Sequence, residues 1–156
     1  MSISRQDGSR RLEKSLGYIK RFFNSNGKIK VGLVWGGNPQ HLNDRFRSFY
    51  IDNARNLFNL QYIEFNSLQK GKCGEELQDG NLPIIDLSPH INEFLDTAAL
   101  MKNLDRVISV DTAPLHLAGA IGVPVWGLIP GAADWQWMQD CKDTPWYPSM
   151  TLSQHR

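Results

Sequence analysis

Apolar and polar residues follow two periodicities along the chain, one typical of buried strands and one typical of helices. Short runs rich in β-branched residues predict strands at 28–35, 61–68, 82–87 and 106–110, and a further strand that opens at Pro124. Helical periodicity predicts helices at 9–24, 50–59 and 93–103, and a last helix that begins at 111–113 and ends at Pro124. This alternation predicts an α/β fold, a three-layer, Rossmann-like, doubly wound parallel sheet.

Residues 109–127 form the most compact of these units, a strand, a charged turn, a helix and a second strand. Asp111 or Thr112 offers a side-chain oxygen to cap the helix. Because such a helix begins at the carboxyl edge of the sheet, its free N–H groups face the crevice where ligands bind. His116 follows Thr112 by four residues and so lies on the same helix face. The pattern favours an anionic ligand such as phosphate, although it also fits a plain helix cap and a packed histidine.

Two further loops follow strands and are expected at the same edge of the sheet, at 36–48 and 69–76. In the first loop, Gly36 and Gly37 allow close approach of the backbone to a ligand, and Asn38 adds a polar side chain. Arg45 and Arg47 suit a pyrophosphate, because a guanidinium donates two parallel hydrogen bonds to phosphate oxygens. The candidate ligands of this loop are therefore Gly36, Gly37, Asn38, Arg45 and Arg47. The sequence Gly-Gly-Asn-Pro alone also fits a structural turn, and it is neither a Gly-x-Gly-x-x-Gly motif nor a P-loop.

Length and charge narrow the range of functions. At 156 residues the chain has the length of one domain, and a formal charge of +1 argues against a nucleic-acid partner. Residues 1–30 carry a net charge of +6, which leaves −5 on the remainder. Cys73 and Cys141 are far apart in polar loops, so we expect no disulfide and no metal site, and a reducing, cytoplasmic compartment. We also expect no signal peptide and no membrane span.

Several motifs, in order and spacing, resemble the C-terminal half of glycosyltransferase family 9, which includes the ADP-heptose:lipopolysaccharide heptosyltransferases. The likeness spans roughly residues 28–153 and is strongest to the branch often fused to tetratricopeptide repeats. The motifs are Val-Gly-Leu-Val-Trp-Gly-Gly-Asn-Pro with Asn-Asp-Arg-x-Arg-Ser, Ser-Leu-Gln-Lys-Gly, Asp-Leu-Ser-Pro-His, Asp-Thr-Ala-Ala-Leu, and Val-Ile-Ser-Val-Asp-Thr-Ala-x-x-His-Leu-Ala-Gly-Ala-x-Gly-x-Pro-Val-Trp. The resemblance implies a fold equivalent to the C-terminal half of a GT-B glycosyltransferase, which holds most of the nucleotide sugar.

Position by position, the resemblance implies a diphosphate-binding motif at the start of the last predicted helix. Asp111, Thr112 and Ala113 would contact the diphosphate, and His116 would complete the motif. Pro114 departs from this pattern, because it removes one backbone donor and leaves the N–H groups of Thr112, Ala113 and Leu115 without helical partners.

The resemblance also implies roles for residues in the two earlier loops. Arg45 or Arg47 takes the place of the basic residue that neutralises the phosphate or the leaving group, although the heptosyltransferases commonly have Lys there. Glu75 or Glu76 falls where the family's loop approaches the ribose. Inverting transfer of this type needs no metal, since a helix dipole and basic side chains offset the leaving diphosphate, so we expect a nucleoside-diphosphate sugar as donor and no cofactor.

These expectations lead to three alternative functions. The first is the nucleotide-sugar-binding domain of an inverting hexosyl- or heptosyltransferase; the chain lacks the family's acceptor domain and shows no evident general base, so a partner or fused domain would supply the acceptor site. The second is a non-catalytic nucleotide-binding or protein-interaction module. The expected protein partner is an acceptor domain or a tetratricopeptide-repeat protein. The third is a structural remnant without a ligand.

The basic segment at the start of the chain is assigned as a linker helix over 1–27, ahead of a nucleotide-sugar-binding domain over 28–156. Its apolar residues recur with helical spacing, at Leu12, Leu16, Ile19 and Phe23. Packing on the domain core or on a neighbouring domain is the favoured interpretation of 9–24, because the apolar stripe is narrow and the resemblance implies a linker here. Peripheral contact with an anionic membrane and homo-oligomerisation through an exposed stripe are the alternatives.

Overall fold

Six parallel strands form the central sheet of the part of the chain that the structure describes. The computed structural model describes residues 27–42, 44–79, 81–130, 137 and 142–155. The strands are β1 (Ile29–Val34), β2 (Ile63–Ser67), β3 (Ile84–Asp86), β4 (Arg106–Val110), β5 (Val125–Pro130) and β6 (Met150–His155). They pair in the order β3–β2–β1–β4–β5–β6, every pair parallel. This order confirms the predicted doubly wound α/β sheet.

Short helices connect the strands. The α-helices are α1 (Asp44–Arg47), α2 (Glu76–Asp79), α3 (Phe94–Met101) and α4 (Ala113–Ala120), and 3₁₀ helices cover Ile51–Asn59, Lys72–Glu75 and Ser88–His90. The helix predicted at 50–59 is therefore a 3₁₀ helix, and the helices predicted from 93 and from 111–113 are α3 and α4.

Apolar side chains cover both faces of the sheet, because successive residues of a strand point to opposite sides. On β1, Val34 belongs to the core beneath α3 and α4, together with the fully buried Leu100 and Leu115. Val31 and Leu33 belong to a second core on the other face, which includes Trp35, Ile51 and Phe65. Two apolar layers around one sheet explain why β1 is a nearly continuous apolar run.

The strand β6 is a correction to the sequence-based prediction, which placed no strand in this part of the tail. Met150 and Leu152 are buried, whereas Thr151 and Ser153, which alternate with them, are exposed. This period of two is the pattern of a half-buried strand, but with only two buried apolar residues it does not stand out beside the continuous apolar runs. Pairing with β5, from Val125 with Met150 to Pro130 with His155, supplies the missing stabilisation.

Part of the prediction lies outside the described residues. These include nearly all of the linker assigned to 1–27, with its helix at 9–24, and most of the tail between 131 and 141. Within the described ranges, no helix is long and apolar enough to cross a membrane.

Candidate functional site

Three loops meet at the carboxyl edge of the sheet, after β1, β2 and β4. The chain leaves β1 towards β2, whereas β4 pairs with the opposite side of β1, so the strand order reverses between β1 and β4. Ligands of doubly wound sheets bind at such a reversal point. The loops 36–48, 69–76 and 111–116, which the sequence predicts at one edge, all follow strands at this edge of the sheet.

The two glycines after β1 are required by contacts within the protein. A Cβ atom on Gly36 would overlap the side chain of Cys73, whose Cβ lies 2.7 Å away. A Cβ atom on Gly37 would lie 2.5 Å from Asp44 Oδ1 and 2.9 Å from Arg47 Nε. Gly36 thus allows the loops after β1 and β2 to pack closely, and Gly37 allows the turn to pack against α1. Both requirements hold independently of any ligand contact.

A network of hydrogen bonds positions the Arg47 side chain at the start of α4. The Gly37 N–H donates to Ser48 Oγ at 2.8 Å, and Ser48 Oγ donates to Asp44 Oδ1 at 2.8 Å. Arg47 Nε donates to the same carboxylate oxygen at 3.2 Å, and Arg47 Nη1 donates to the backbone carbonyl of Asp111 at 3.1 Å. The Arg47 side chain is only 17% exposed. Its guanidinium is therefore held at the β4–α4 junction by contacts within the protein.

Arg45 and Asn38 take other positions in the same loop. Arg45 is exposed, and its Cζ lies 4.5 Å from the ring centre of the exposed Phe46. Asn38 Oδ1 accepts a hydrogen bond from the Gln40 N–H at 3.0 Å, which closes a local turn. Of the two arginines predicted as alternatives, Arg47 is the one that reaches the α4 terminus.

At the α4 terminus the predicted side-chain cap is absent, which corrects the sequence-based expectation. Thr112 is the N-cap residue in extended conformation, and it makes no side-chain cap hydrogen bond. Its hydroxyl instead donates to the Val110 carbonyl at 3.1 Å. The Leu115 N–H was expected to lack a partner but donates to the Thr112 carbonyl at 3.0 Å. The exposed Ala113, at the first helical position, retains an N–H group that has no partner within the helix.

The Asp111 carboxylate is held by an aromatic cluster. Asp111 Oδ2 accepts a hydrogen bond from Trp137 Nε1 at 3.1 Å, and Oδ1 lies 3.9 Å from His116 Nε2. His116 Nδ1 is 3.1 Å from the Tyr147 hydroxyl, and the His116 ring stacks on Trp137 with ring centres 5.0 Å apart. The carboxylate and imidazole therefore lie side by side as expected, whereas the Thr112 hydroxyl turns back towards β4.

The two acidic residues of the loop after β2 differ in their surroundings. Glu76 Oε2 accepts a hydrogen bond from the Ile51 N–H at 2.9 Å, at the start of the 3₁₀ helix Ile51–Asn59. Glu75 is exposed. Glu76 is thus engaged in holding a neighbouring helix, and Glu75 is the carboxylate at the surface of this loop.

Three residues at this edge are absent from the site predicted from the sequence. Gln69 is 3% exposed and contacts the turn at Gly36. Trp137 and Tyr147 come from the tail and contact the first turns of α4. The sequence signals Gln69 by its position directly after a strand and by the motif Ser-Leu-Gln-Lys-Gly. The two aromatic contacts depend on how the tail folds back.

Burial raises the pKa of the Cys73 thiol, and the nearby carboxylates of Glu76 and Asp44 raise it further. The Cys73 thiol therefore loses its proton at a lower pH in the unfolded chain than in the folded chain, so the free energy of unfolding falls as the pH rises through the alkaline range.

In a Cys141→Ser variant we expect iodoacetamide to alkylate the folded chain more slowly than the urea-unfolded chain. A further Cys73→Ala change should reduce the alkaline loss of stability. Equal alkylation rates in the two states would contradict this prediction.

Comparison with known proteins gives a family match across this edge of the sheet. The model of glycosyltransferase family 9 (heptosyltransferase) matches residues 69–138. The match includes the loop after β2 and the β4–α4 junction. The predicted family resemblance is thereby confirmed over these residues, and the assignment to a branch fused to tetratricopeptide repeats stays a prediction.

Two individual proteins are similar to most of the chain. Protein FlbA of Caulobacter vibrioides is 30% identical over 133 residues, which make up 78% of this chain and 21% of FlbA. The structure of E. coli ADP-heptose LPS heptosyltransferase II matches with a TM-score of 0.62 and 15% identity, over 90% of this chain and 43% of that chain. The chain thus spans about a fifth of FlbA and less than half of the heptosyltransferase, and the structural match confirms the fold.

Proposed function

We propose, from the match of residues 69–138 to the model of glycosyltransferase family 9, that the chain is the nucleotide-sugar-binding domain of a glycosyltransferase. Its donor is a nucleoside-diphosphate sugar, whose diphosphate lies between Arg47 and the first turn of α4. A second domain, fused or separate, holds the acceptor and the base that deprotonates its hydroxyl. The reaction inverts the sugar's anomeric centre and takes place in the cytoplasm.

The hydrogen bond from Arg47 Nη1 to the Asp111 carbonyl, 3.1 Å long, carries this proposal. It places a guanidinium beside the N-terminal end of α4, where the helix dipole and the Ala113 N–H favour an anion. A guanidinium and a helix terminus together offset the charge that develops on a leaving diphosphate, without a metal ion. Neither group needs to move far, because Asp44 already holds the guanidinium at 3.2 Å.

The aromatic cluster makes this edge compatible with an anion despite the Asp111 carboxylate. That carboxylate is 14% exposed and accepts the Trp137 indole N–H. A hydrogen-bond donor on a carboxylate partly offsets its charge. The His116 imidazole lies beside the same carboxylate, with Nε2 3.9 Å from Oδ1, and we assign it to holding the carboxylate away from the phosphates. Glu75, the exposed carboxylate of the loop after β2, is the candidate for the ribose hydroxyls.

Calorimetric titration of the full chain tests the proposal. We expect ADP, UDP or GDP to bind with one-to-one stoichiometry, and the matching nucleoside to bind at least about tenfold more weakly, because a charge-assisted hydrogen bond contributes about 1.5–3 kcal/mol. Removal of divalent cations with EDTA should leave the affinity unchanged.

Three results would count against the proposal. Equal affinities for the nucleoside and its diphosphate would place the ligand away from Arg47. A nucleotide bound in a crystal at the amino edge of the sheet would do the same. Nucleotide binding without sugar transfer, when a candidate acceptor domain is supplied, would identify a non-catalytic nucleotide-binding module instead.

A further inference from the structure

A single carboxamide, that of Gln69, joins the loop after β2 to the turn after β1. The residue is 3% exposed. Its Oε1 accepts hydrogen bonds from the N–H groups of Trp35 and Gly36, each at 2.9 Å. Its Nε2 donates to the carbonyls of Gly36 at 3.0 Å and Lys70 at 2.9 Å. A carboxamide has two acceptor lone pairs and two N–H donors, so all four are used.

Gln69 lies just beyond the point where the backbone hydrogen bonds between β1 and β2 end. The register of β1 with β2 ends at the pair Leu33 and Ser67, and one more bond follows, from the Leu68 N–H to the Leu33 carbonyl. Beyond it the two strands diverge, and the Gln69 side chain replaces the hydrogen bonds of the ladder. The Gly36 N–H and carbonyl are therefore both held by this side chain, and we expect a substitution of Gln69 to loosen the turn.

The turn that Gln69 holds is the first member of the network that ends at Arg47. Gly37 follows Gly36 directly, and its N–H donates to Ser48 Oγ at 2.8 Å. Ser48 and Arg47 both donate to Asp44 Oδ1, and Arg47 Nη1 reaches the Asp111 carbonyl. A displacement of the turn would shift Ser48 and Asp44, and with them the guanidinium at the α4 terminus.

We propose that Gln69 is a positioning residue for diphosphate binding. Its buried carboxamide fixes the turn at Gly36, and that turn orients Arg47 through Ser48 and Asp44. This inference rests on the proposed nucleotide-binding function. It requires a side chain that both accepts and donates hydrogen bonds. A glutamate of the same length would keep the acceptor for Trp35 and Gly36, but its second oxygen would face two carbonyls.

The test measures ADP and adenosine affinity of the full chain with Gln69→Glu and Gln69→Met, at about pH 8 and about pH 5. Gln78, exposed on α2, gives the matched controls Gln78→Glu and Gln78→Met. At the higher pH, both Gln69 variants should lose about tenfold or more in ADP affinity and less than about twofold in adenosine affinity, while the controls match the wild type.

The pH dependence separates positioning from general damage to the fold. Burial favours the neutral form of a carboxyl, so lowering the pH restores an O–H donor at Gln69→Glu. We expect its ADP affinity, relative to the wild type at the same pH, to recover several-fold at about pH 5, whereas Gln69→Met does not recover. If Gln69→Met fails to fold, the pH dependence of ADP affinity in Gln69→Glu still tests the proposal, because it compares one variant with itself at two pH values.

The proposal is overturned if the folded Gln69 variants bind ADP as the wild type does. It is also overturned if the affinities for ADP and adenosine fall together, or if Gln69→Glu shows no recovery at low pH. A wild-type chain that binds neither ligand would reject the proposed function itself, and the role of Gln69 with it. Normal wild-type binding with unaffected variants rejects the role of Gln69 alone.

Discussion

Replacing Arg47 with Ala is expected to weaken ADP binding by about ten- to a hundredfold and to change adenosine binding by less than about twofold. The guanidinium is held by Asp44 Oδ1 and the Asp111 carbonyl beside the α4 terminus, where we propose that the diphosphate binds. Its removal should therefore weaken contacts to the phosphates and leave contacts to the nucleoside intact. Arg47→Lys should give a smaller loss, because it keeps the charge but not the planar pair of donors. Calorimetric titration with both ligands measures the effect.

Arg45→Ala is the matched control for this prediction. It removes the same charge two residues away, from a side chain that is exposed over Phe46. We expect it to weaken ADP binding only slightly, and less as salt is raised, since an exposed charge is screened. Equal losses in the two variants would mean that the loop acts through its overall charge, and would remove Arg47 from the phosphate site. Urea unfolding of each variant distinguishes lost affinity from lost stability.

Replacing Gly36 with Ala is expected to lower the free energy of unfolding by about 1–3 kcal/mol, the usual cost of overpacking a well-packed site. The new Cβ would overlap the Cys73 side chain, whose Cβ lies 2.7 Å away, so one of the two loops must move. The Gln69 carboxamide binds the same residue and resists that movement. Urea unfolding at neutral pH measures the loss.

A double-mutant cycle with Cys73 checks the physical cause of this loss. Cys73→Gly removes both Sγ and Cβ, so we expect the double variant Gly36→Ala, Cys73→Gly to be more stable than the sum of the single changes predicts. Cys73→Ala leaves the Cβ in place and should rescue less. Strictly additive single changes would show that the Gly36→Ala cost has a source other than this contact.

The strands show what can be predicted from local sequence. β1, β2 and β4 are short apolar runs that end in polar turns, and each was predicted to within two residues of its bounds. β6 was missed because its alternating Met150 and Leu152 are stabilised by β5, which is distant along the chain. Burial on both faces leaves a strong local pattern, whereas a half-exposed edge strand depends on its partner.

The candidate site was predictable as a place but not as a set of contacts. Helix starts and glycine turns after parallel strands lie at one edge of the sheet whatever the side chains do, so Gly36, Arg47 and Asp111 could be grouped from sequence. Arg45 and Arg47 are two residues apart in the short helix α1, and the sequence alone cannot show which reaches the α4 terminus. Orientation of α1 decides this, through the bond from Ser48 to Asp44.

The sequence by itself determined the alternation of strands and helices, the family resemblance and the edge of the sheet where chemistry is concentrated. These follow from local periodicity and from motifs, which are read within a few residues. Only the tertiary structure decided that Arg47 reaches the Asp111 carbonyl, that Trp137 holds the Asp111 carboxylate and that Gln69 fixes the Gly36 turn. Each of these contacts joins residues at least 26 positions apart. Their geometry depends on how the elements pack, because a hydrogen bond is lost with a shift of less than 1 Å.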